Sequence, residues 1–393
     1  MTTHSGTRSS SSSRPQGSPG LLAVLREWGR IGCLGFGGPP THIAMLRELC
    51  VERRHWLGTQ DFEDAVAVCN LLPGPASTQL AIFSAWRVRG RLGALVGGLA
   101  FIVPGLVAIL ALSVLFLIGS PPLWVTGAGA GAGSAVGGVA VQAGSSLIPA
   151  SWNRAAQASR RRWAIYLAAG ITSAATLGPW LVLVLLACGA VELAAHHGPV
   201  RTLSVAPAAV AVFGTGGVLS LAWVAVKVGA LSYGGGFVII PLMQADAVGH
   251  YHWMSSGEFL NAVALGQITP GPVVHTVAVV GYAAAGLGGG LLAAAVAFSP
   301  SFAFILLGGE HFDRLRRDRR ARAFLDGAGP AAIGAILGSA IPLAGALSEA
   351  WQFAALAASA VLLLVLRRGV VPTLLLAAGA GVAVALVGGP VPA

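Results

Sequence analysis

The side chains best suited to binding chemistry in this chain follow two Pro-Gly-Pro motifs that interrupt apolar segments. The motifs are Pro73, Gly74 and Pro75 in one half of the chain, and Pro270, Gly271 and Pro272 in the other. The donors that follow them are Ser77, Thr78 and Gln79 after the first motif, and His275 and Thr276 after the second. A helix that restarts after proline and glycine presents unpaired backbone N–H groups. Such helix ends attract anions, so the pattern predicts an anion-binding site.

A second kind of interruption precedes each Pro-Gly-Pro motif. The stretch GFGGPPTHIA breaks at glycines and prolines and then offers a hydroxyl and an imidazole, whereas its counterpart SYGGGFVIIP keeps the glycines. The residues concerned are Gly37, Gly38, Pro39, Thr41 and His42 in the first stretch, and Tyr233, Gly234 and Gly235 in the second. We expect the four interruptions to meet around one pocket. The competing interpretation is that each is a kink or a packing device, with packed, hydrogen-bonded histidines.

Two cations occupy equivalent positions just ahead of the glycine-rich stretches. The shift of 197 residues that superimposes the Pro-Gly-Pro motifs places Lys227, the single lysine of the chain, on Arg30. Together these side chains carry two positive charges, which would balance a bound anion with two negative charges.

Five acidic residues flank the Pro-Gly-Pro segments. They are Asp61, Glu63, Asp64, Asp246 and Glu258. Because they fall at segment ends, we expect them to be solvated helix caps. Proton coupling is the alternative, since acids near membrane-buried segments often carry protons.

Composition predicts an all-α membrane protein with many membrane-spanning helices. Of its 393 residues 55% are hydrophobic and only 10% are charged, and the mean hydropathy is +0.77. About 20 apolar residues span a bilayer, and roughly thirteen hydrophobic segments approach that length. The formal charge is +10, but the arginines lie in loops between apolar runs. That distribution is typical of membrane topology and does not indicate a nucleic-acid partner.

The repeat divides the chain into two homologous halves. We assign residues 1–19 to a disordered cytoplasmic tail, 20–200 to the first half and 201–393 to the second. The loop WRVRGRLG of the first half carries three arginines, whereas its counterpart YAAAGLGGG carries no charge. Basic loops stay in the cytoplasm, so these matching loops lie on opposite faces and the halves have inverted topology. The basic loop LRELCVERRHW would lie outside if the segments on both sides of it span the membrane, and re-entrant segments would keep it inside. The choice between spanning and re-entrant segments stays open.

The sequence does not favour an enzyme. It contains no P-loop, GxSxG or HExxH motif and no metal-ligand spacing, so ATP hydrolysis by this chain is not expected. We expect neither a cofactor nor a metal.

The ordered motifs resemble those of the chromate ion transporter family, in its long, two-domain form. GFGGPPTHIA, WLGTQDF and LLPGPASTQLAI, followed by SYGGGFVIIP, WMSSGEF and ITPGPVVHT, carry the resemblance over residues 20–310. The family's motif residues fall on Gly35, Phe36, Gly37, Gly38, Pro39, His42, Pro73, Gly74, Pro75 and Gln79, and on Tyr233, Gly234, Gly235, Gly236, Pro241, Pro270, Gly271 and Pro272. The second half departs from the first at Gly236, Ile239 and Thr276, which predicts unequal roles for the halves.

The resemblance implies a bacterial inner-membrane secondary transporter that exports chromate, uses the proton gradient and confers chromate resistance. Sulfate, a tetrahedral dianion of similar size, is the related ligand. The expected partners are the transported anion, the lipid bilayer and a second copy of the chain. A transporter of sulfate or a small organic anion is the first alternative. A channel and a membrane enzyme are more remote, because inverted repeats with broken helices are typical of carriers.

Overall fold

The computed structural model describes residues 19–69, 72, 74–117, 119, 121–155, 159–177, 180–197, 217–232, 237–308 and 318–392. Within these ranges the chain forms fourteen α-helices and no β-strand. The predicted all-α architecture is therefore confirmed. The predicted tail up to residue 18, Pro73 and the stretch from Tyr233 to Gly236 lie outside the described residues.

The first half contributes seven helices. They are α1 (Leu21–Leu34), α2 (Pro39–Arg47), α3 (Thr59–Cys69), α4 (Ala76–Phe116), α5 (Leu123–Arg154), α6 (Arg160–Thr176) and α7 (Leu181–His197). A π-helical turn, Glu48–Arg53, extends α2.

The second half repeats this order. Its helices are α8 (Val218–Leu231), α9 (Ile239–Gln244), α10 (Ser256–Ile268), α11 (Thr276–Gly308), α12 (Arg319–Gly345), α13 (Ala350–Ala360) and α14 (Val370–Leu386). A π-helical turn, Ala245–His250, extends α9, and a second one, Val361–Val365, extends α13.

Helices α1 and α2 form a hairpin whose tip is the glycine-rich break. The carboxylate of Glu27 in α1 accepts hydrogen bonds from Arg53 and Arg54, both at 2.5 Å, at the far end of the returning segment. The indole of Trp28 stacks on that of Trp56 with ring centroids 6.0 Å apart. The end of the returning segment therefore lies beside the middle of α1, so the chain turns back at the glycine-rich break. This geometry matches the re-entrant alternative.

Helix α3 and the start of α4 form a second hairpin with the Pro-Gly-Pro break at its tip. Arg87 lies 3.8 Å from Asp61, which joins the outer ends of the two segments. Helix α4 itself then folds back, because Arg89 and Gly90 have non-helical backbone angles. A methyl group on Gly97 would lie 2.5 Å from the Cβ of Ala85 across this fold. Helix α4 therefore consists of a short arm (76–89) and a long arm (90–116).

The second half contains the same two hairpins. Lys227 in α8 donates to Asp246 in the turn after α9 at 2.6 Å, which holds the first of them together. Helix α11 folds back at Ala285 and Gly286, whose backbone angles match those of Arg89 and Gly90. Its short arm (276–285) follows the second Pro-Gly-Pro break, and its long arm (286–308) crosses the molecule.

The long arms of α4 and α11 run in opposite directions. A methyl group on Gly98 would meet the ring of Phe302 at 2.6 Å, and one on Gly290 would meet Leu110 at the same distance. The start of each arm thus lies beside the end of the other. The two long arms therefore pack antiparallel to each other between the halves.

The remaining helices are exchanged between the halves. Helix α5 of the first half packs against α14, where Gly127 and Gly381 lie in backbone contact, and Gln352 of α13 donates to the Ala130 carbonyl at 3.3 Å. Helix α12 of the second half packs against α6, with Gly170 in contact with the Ala331 carbonyl. Small residues permit these close approaches. Each half therefore completes its packing with helices from the other.

Three helices among the described residues are long and apolar enough to cross a membrane. They are Ala76–Phe116, Arg319–Gly345 and the segment Val273–Gly308 that includes α11. Since α4 and α11 are folded, only their long arms have the length of a full crossing at 1.5 Å per residue. Apolar side chains on these arms are exposed, including Val107 at 62% and Leu287 at 55%. Such a surface suits lipid.

Candidate functional site

The breaks of the two halves contact one another. The backbone N–H of Gly271, in the second Pro-Gly-Pro motif, donates to the carbonyl of Gly35 at 2.9 Å, in the glycine-rich break of the first half. In the same way Gly74 approaches α8 near its end, since a Cβ at Gly74 would lie 3.3 Å from the Gly229 carbonyl oxygen. Both Pro-Gly-Pro motifs thus touch the glycine-rich hairpin of the opposite half.

The first Pro-Gly-Pro break leads into a buried and uncapped helix end. Pro75 is the N-cap of α4, and no side chain among the described residues caps it. Ser77, Thr78 and Gln79 in the following turn are all at most 2% exposed. The first N–H groups of α4 therefore point into the interior, where a partly positive helix end favours an anion. Of these three predicted donors, Gln79 lies against Gly74, the residue that approaches α8 and Ser301.

The glycine-rich break of the first half offers fewer backbone donors than expected. Gly37 and Gly38 have φ angles of 98° and 75°, which the break requires and which other residues rarely adopt. Helix α2 then begins with Pro39 and a second proline, neither of which has an N–H group. Of the first three positions only Thr41 supplies an amide hydrogen. This helix end is therefore a weaker anion ligand than the one after Pro75.

His42 is tied to the break by its own side chain. It is fully buried, and its Nε2 donates to the Gly35 carbonyl at 2.8 Å. The same carbonyl accepts the Gly271 N–H. In the neutral ring the Nδ1 atom is then an acceptor, so His42 donates a hydrogen bond to an anion only when doubly protonated.

The second Pro-Gly-Pro break places His275 against the long arm of α4. Gly271 has a φ of 91°, and Pro272 caps a short 3₁₀ turn without a side-chain hydrogen bond. His275 is fully buried, and its ring packs edge-on against Phe298 with centroids 5.3 Å apart. The Thr276 hydroxyl donates to the Val273 carbonyl at 2.8 Å. Of the two predicted donors, His275 thus has the greater capacity to bind a guest.

Several buried polar atoms around the breaks have no hydrogen-bond partner among the described residues. They are the Nδ1 of His42, the Oγ1 of Thr78, the Oγ of Ser232, the Nε2 of Gln267 and the Oγ of Ser301. The ring nitrogens of His275 also form no hydrogen bond of normal geometry, although the backbone of Ile102 is close enough to interact with the ring. An unpaired buried polar group costs about 1–3 kcal/mol. A cluster of them fits a site whose groups pair with a polar guest.

The two predicted cations are not brought together at the breaks. The side chain of Lys227 is 16% exposed and pairs with Asp246, so its charge is already balanced within its own hairpin. Arg30 is exposed and lines a small groove of about 90 Å³ with Glu27 and Arg53. With these neighbours, Lys227 and Arg30 do not face a common site. The geometry therefore does not support the expectation that the two cations together balance a bound dianion.

Four of the five flanking acids behave as surface residues, and one does not. Asp61 and Glu63 form exposed ion pairs with Arg87 and Arg47, Asp64 accepts from Gln60, and Glu258 completes the capping box of α10. The predicted solvated cap at Asp246 is wrong, because Asp246 is only 4% exposed and bonded to Lys227. Its position inside a hairpin, and not at a free helix end, explains the difference.

Sequence reasoning missed Ser232, Gln267 and Ser301. Ser301 comes from the long arm of α11, and its Oγ would lie 3.4 Å from a Cβ at Gly74. The matching residue on α4 is Gly105, which contacts Pro270 and His275. Ser301 follows Pro300 in α11, and Gly105 follows Pro104 in α4. This repeated proline, offset by 196 residues, was the available signal.

A separate cavity lies away from the breaks. It has a volume of about 390 Å³ and lies between α5, α6, α7 and α12, with Arg154, Glu192 and Asp326 among its lining residues. Glu192 is held there by Arg162 and Tyr166. The cavity reaches Val238, which precedes α9. It therefore extends from the arginine-bearing ends of α5 and α6 to the residue that precedes α9.

Comparisons with known proteins agree with this arrangement of two related halves. A family model described as "Chromate transporter" matches twice, at residues 22–193 and 219–385. The chromate transport protein of Cupriavidus metallidurans is 32% identical over 341 residues, which cover 82% of each chain. That of Pseudomonas aeruginosa is 30% identical over 360 residues, covering 85% of this chain and 83% of the relative.

A probable chromate transport protein of Synechococcus elongatus is 28% identical over 336 residues, which cover 82% of this chain and 84% of the relative. No solved structure matches the chain. The family model covers most of the sequence, and two relatives are at least 30% identical over more than four fifths of their length. The chain is therefore a membrane protein that belongs to the chromate transporter family.

Proposed function

We propose that this protein is a secondary transporter that carries chromate through a site formed by the four helix breaks. The observation that carries the proposal is the contact between Gly271 and Gly35, which joins breaks from the two halves beside buried, unpaired polar atoms. A tetrahedral dianion accepts hydrogen bonds on all sides. The buried start of α4, the Thr78 and Ser301 hydroxyls and the His275 ring are donors suited to it.

The proposed site recognises the anion with neutral groups. Helix ends and hydroxyl groups contribute partial positive charge without a buried ion that needs its own partner. This arrangement lets the anion leave as well as bind, because no full charge holds it. The predicted ligands Gly37, Gly38, Gly74 and Gly271 shape the backbone, while Tyr233, Gly234 and Gly235 lie outside the described residues.

We propose that the arginine-rich face is cytoplasmic and that the halves have inverted topology in a bacterial inner membrane. Arg47 and Arg87 pair with Glu63 and Asp61 near the start of α3. The arginines near 154–162 return to the same face if the long arm of α4 and α5 each cross once. The N-terminus then lies in the cytoplasm. The antiparallel long arms support the inversion, and alternating exposure of a midplane site follows from it.

Export of chromate in exchange for protons, with chromate resistance as its result, completes the proposal. The test uses everted membrane vesicles from cells that express the chain, which should accumulate labelled chromate when respiration energises them. An uncoupler should abolish the accumulation. Vesicles that take up no chromate under either condition would refute chromate export by this chain.

Competition separates chromate from sulfate as the carried anion. Sulfate in tenfold excess should reduce chromate accumulation only partly if chromate is preferred. Accumulation of labelled sulfate with no uptake of chromate would instead assign the site to sulfate. We also propose a homodimer, which the mass of the purified protein in detergent tests directly.

A further inference from the structure

The hairpin formed by α8 and α9 is held together by an ion pair unlike that of its counterpart. Lys227 and Asp246 are joined at 2.6 Å, with side chains 16% and 5% exposed. In the first half the same hairpin is closed by Glu27 with Arg53 and Arg54, whose side chains are 40% and 50% exposed. Arginine does not lose its proton in proteins, and Glu27 is shared by two of them. Two arginines thus share the carboxylate that closes the first hairpin, whereas one lysine and one carboxylate close the second.

Asp246 lies at the start of the π-helical turn Ala245–His250. Such turns are frequent at functional sites, because an inserted residue widens the helix and re-aims its side chains. The charged or titratable groups that face Asp246 are Lys227 from α8 and His250 from its own turn. Trp223, one turn earlier on α8, places its ring 5.8 Å from the Lys227 ammonium. A single proton on Asp246 therefore changes the only ion pair that closes this hairpin among the described residues.

We propose that Asp246 is the binding site for the coupling proton and that Lys227 is its positioning residue. The inference rests on the proposed chromate–proton exchange. In the binding step hydronium gives its proton to the carboxylate and leaves as water, while Lys227 keeps its ammonium protons. The ion pair becomes a weaker hydrogen bond to a neutral carboxyl group, and the pair changes from neutral to a charge of plus one.

Protonation of Asp246 opposes anion binding because the Lys227–Asp246 pair holds the hairpin closed. The pair does not face the anion. Gly229, two residues after Lys227, faces the long arm of α11 and Gly74. Residues two apart in a helix point to nearly opposite sides, so the Lys227 side chain points away from the breaks. The added charge is therefore not presented to the anion. Loosening of the hairpin instead moves α8 away from Gly74 and disrupts the anion site. Binding of the proton and binding of the anion therefore oppose each other, as exchange requires.

The first experiment measures chromate affinity of the purified protein from pH 5.5 to 8.5 by equilibrium dialysis. Because chromate itself takes up a proton in this range, each dissociation constant is calculated from the concentration of the free dianion. For the wild type, this constant should rise as the pH falls, with a limiting slope of about tenfold per pH unit. Asp246→Asn resembles the protonated state and should bind weakly at every pH. The matched control Asp61→Asn removes an exposed acid with one long ion pair, and should retain the wild-type profile. A wild-type pH dependence in Asp246→Asn would overturn the proposal.

A charge exchange keeps the test decisive if the single variant does not fold. Lys227→Asp combined with Asp246→Lys restores an ion pair across the hairpin and should restore both folding and the pH dependence. A folded double variant whose affinity is independent of pH would also overturn the proposal.

A measurement without chromate separates this inference from the proposed function. Subtracting the fluorescence of Trp223→Phe from that of the wild type isolates the emission of Trp223. This emission should change with pH when Asp246 is present. It should not change with pH when the same pair of proteins is compared with Asp246→Asn added to both. If the wild type binds no chromate but this signal titrates, chromate transport is wrong and the proton site stands. If the signal is the same in both backgrounds, the proton site is wrong.

Discussion

Replacement of Gly105 by alanine tests the contact between the long arm of α4 and the second Pro-Gly-Pro break. A Cβ atom at position 105 would lie 2.7 Å from the Cε1 of His275 and 2.9 Å from its Nδ1, and closer still to the Pro270 carbonyl oxygen. Ordinary contact begins at 3.4 Å. The imidazole would therefore retreat by about 0.7 Å, and the break that carries it would move as well.

The expected loss follows from the cost of overpacking. An extra methyl group in a packed interior costs about 1–3 kcal/mol. If the anion site requires the undisplaced break, that cost appears as a roughly 5- to 150-fold weaker affinity for chromate. Part of it will appear as a lower unfolding temperature in detergent. Binding and thermal stability should therefore be measured on the same preparation.

Gly288 provides a matched control for the same change. It lies in the long arm of α11, and nothing lies within 4 Å of the position where its Cβ would be. Gly288→Ala should leave chromate binding within about twofold of the wild type, and helix propensity predicts a gain of up to about 1 kcal/mol in stability. Equal chromate affinity in Gly105→Ala and Gly288→Ala would refute the assignment of His275 and its break to the site.

Three further predictions follow from the ion pairs and the exchanged helices. Lys227→Gln should slow chromate transport at least tenfold, because it leaves Asp246 buried without its partner, whereas Arg367→Gln should not; equal transport in vesicles would contradict this role. Glu27→Gln should lower the free energy of unfolding by about 2 kcal/mol, since two arginines lose a charged acceptor. An unchanged melting temperature would show that the ion pairs of Glu27 contribute nothing to stability. Two chains divided between residues 201 and 216 should co-purify when co-expressed, because α5 packs on α14 and α12 on α6, and independent purification would disprove the exchange.

The breaks were predictable because proline and glycine act locally. Gly74 and Gly271 lie at hairpin tips as the motifs indicate, with φ angles of 121° and 91°. The choice between spanning and re-entrant segments was not predictable, since it depends on contacts between distant residues. The hydrogen bonds from Arg53 and Arg54 to Glu27 close the hairpin, and no periodicity in the sequence indicates that pairing.

The side-chain partners of the site residues also could not be predicted from the sequence. Equivalent cations ahead of equivalent breaks predicted a shared role, yet Lys227 has Asp246 beside it and Arg30 is exposed. The residue that aligns with Asp246 in the first half is Leu49. A repeat predicts backbone shape in both halves, because the same fold requires the same glycines and prolines. It does not predict side-chain partners, which differ between the halves.

The most direct test of a shared oxyanion site is an experimental structure with tungstate, a tetrahedral dianion that scatters X-rays anomalously. We expect one strong peak between the start of α4 and His275, within hydrogen-bond distance of Thr78 or Ser301. A peak in the cavity beside Asp326, or none at the breaks in protein that still transports chromate, would contradict the account.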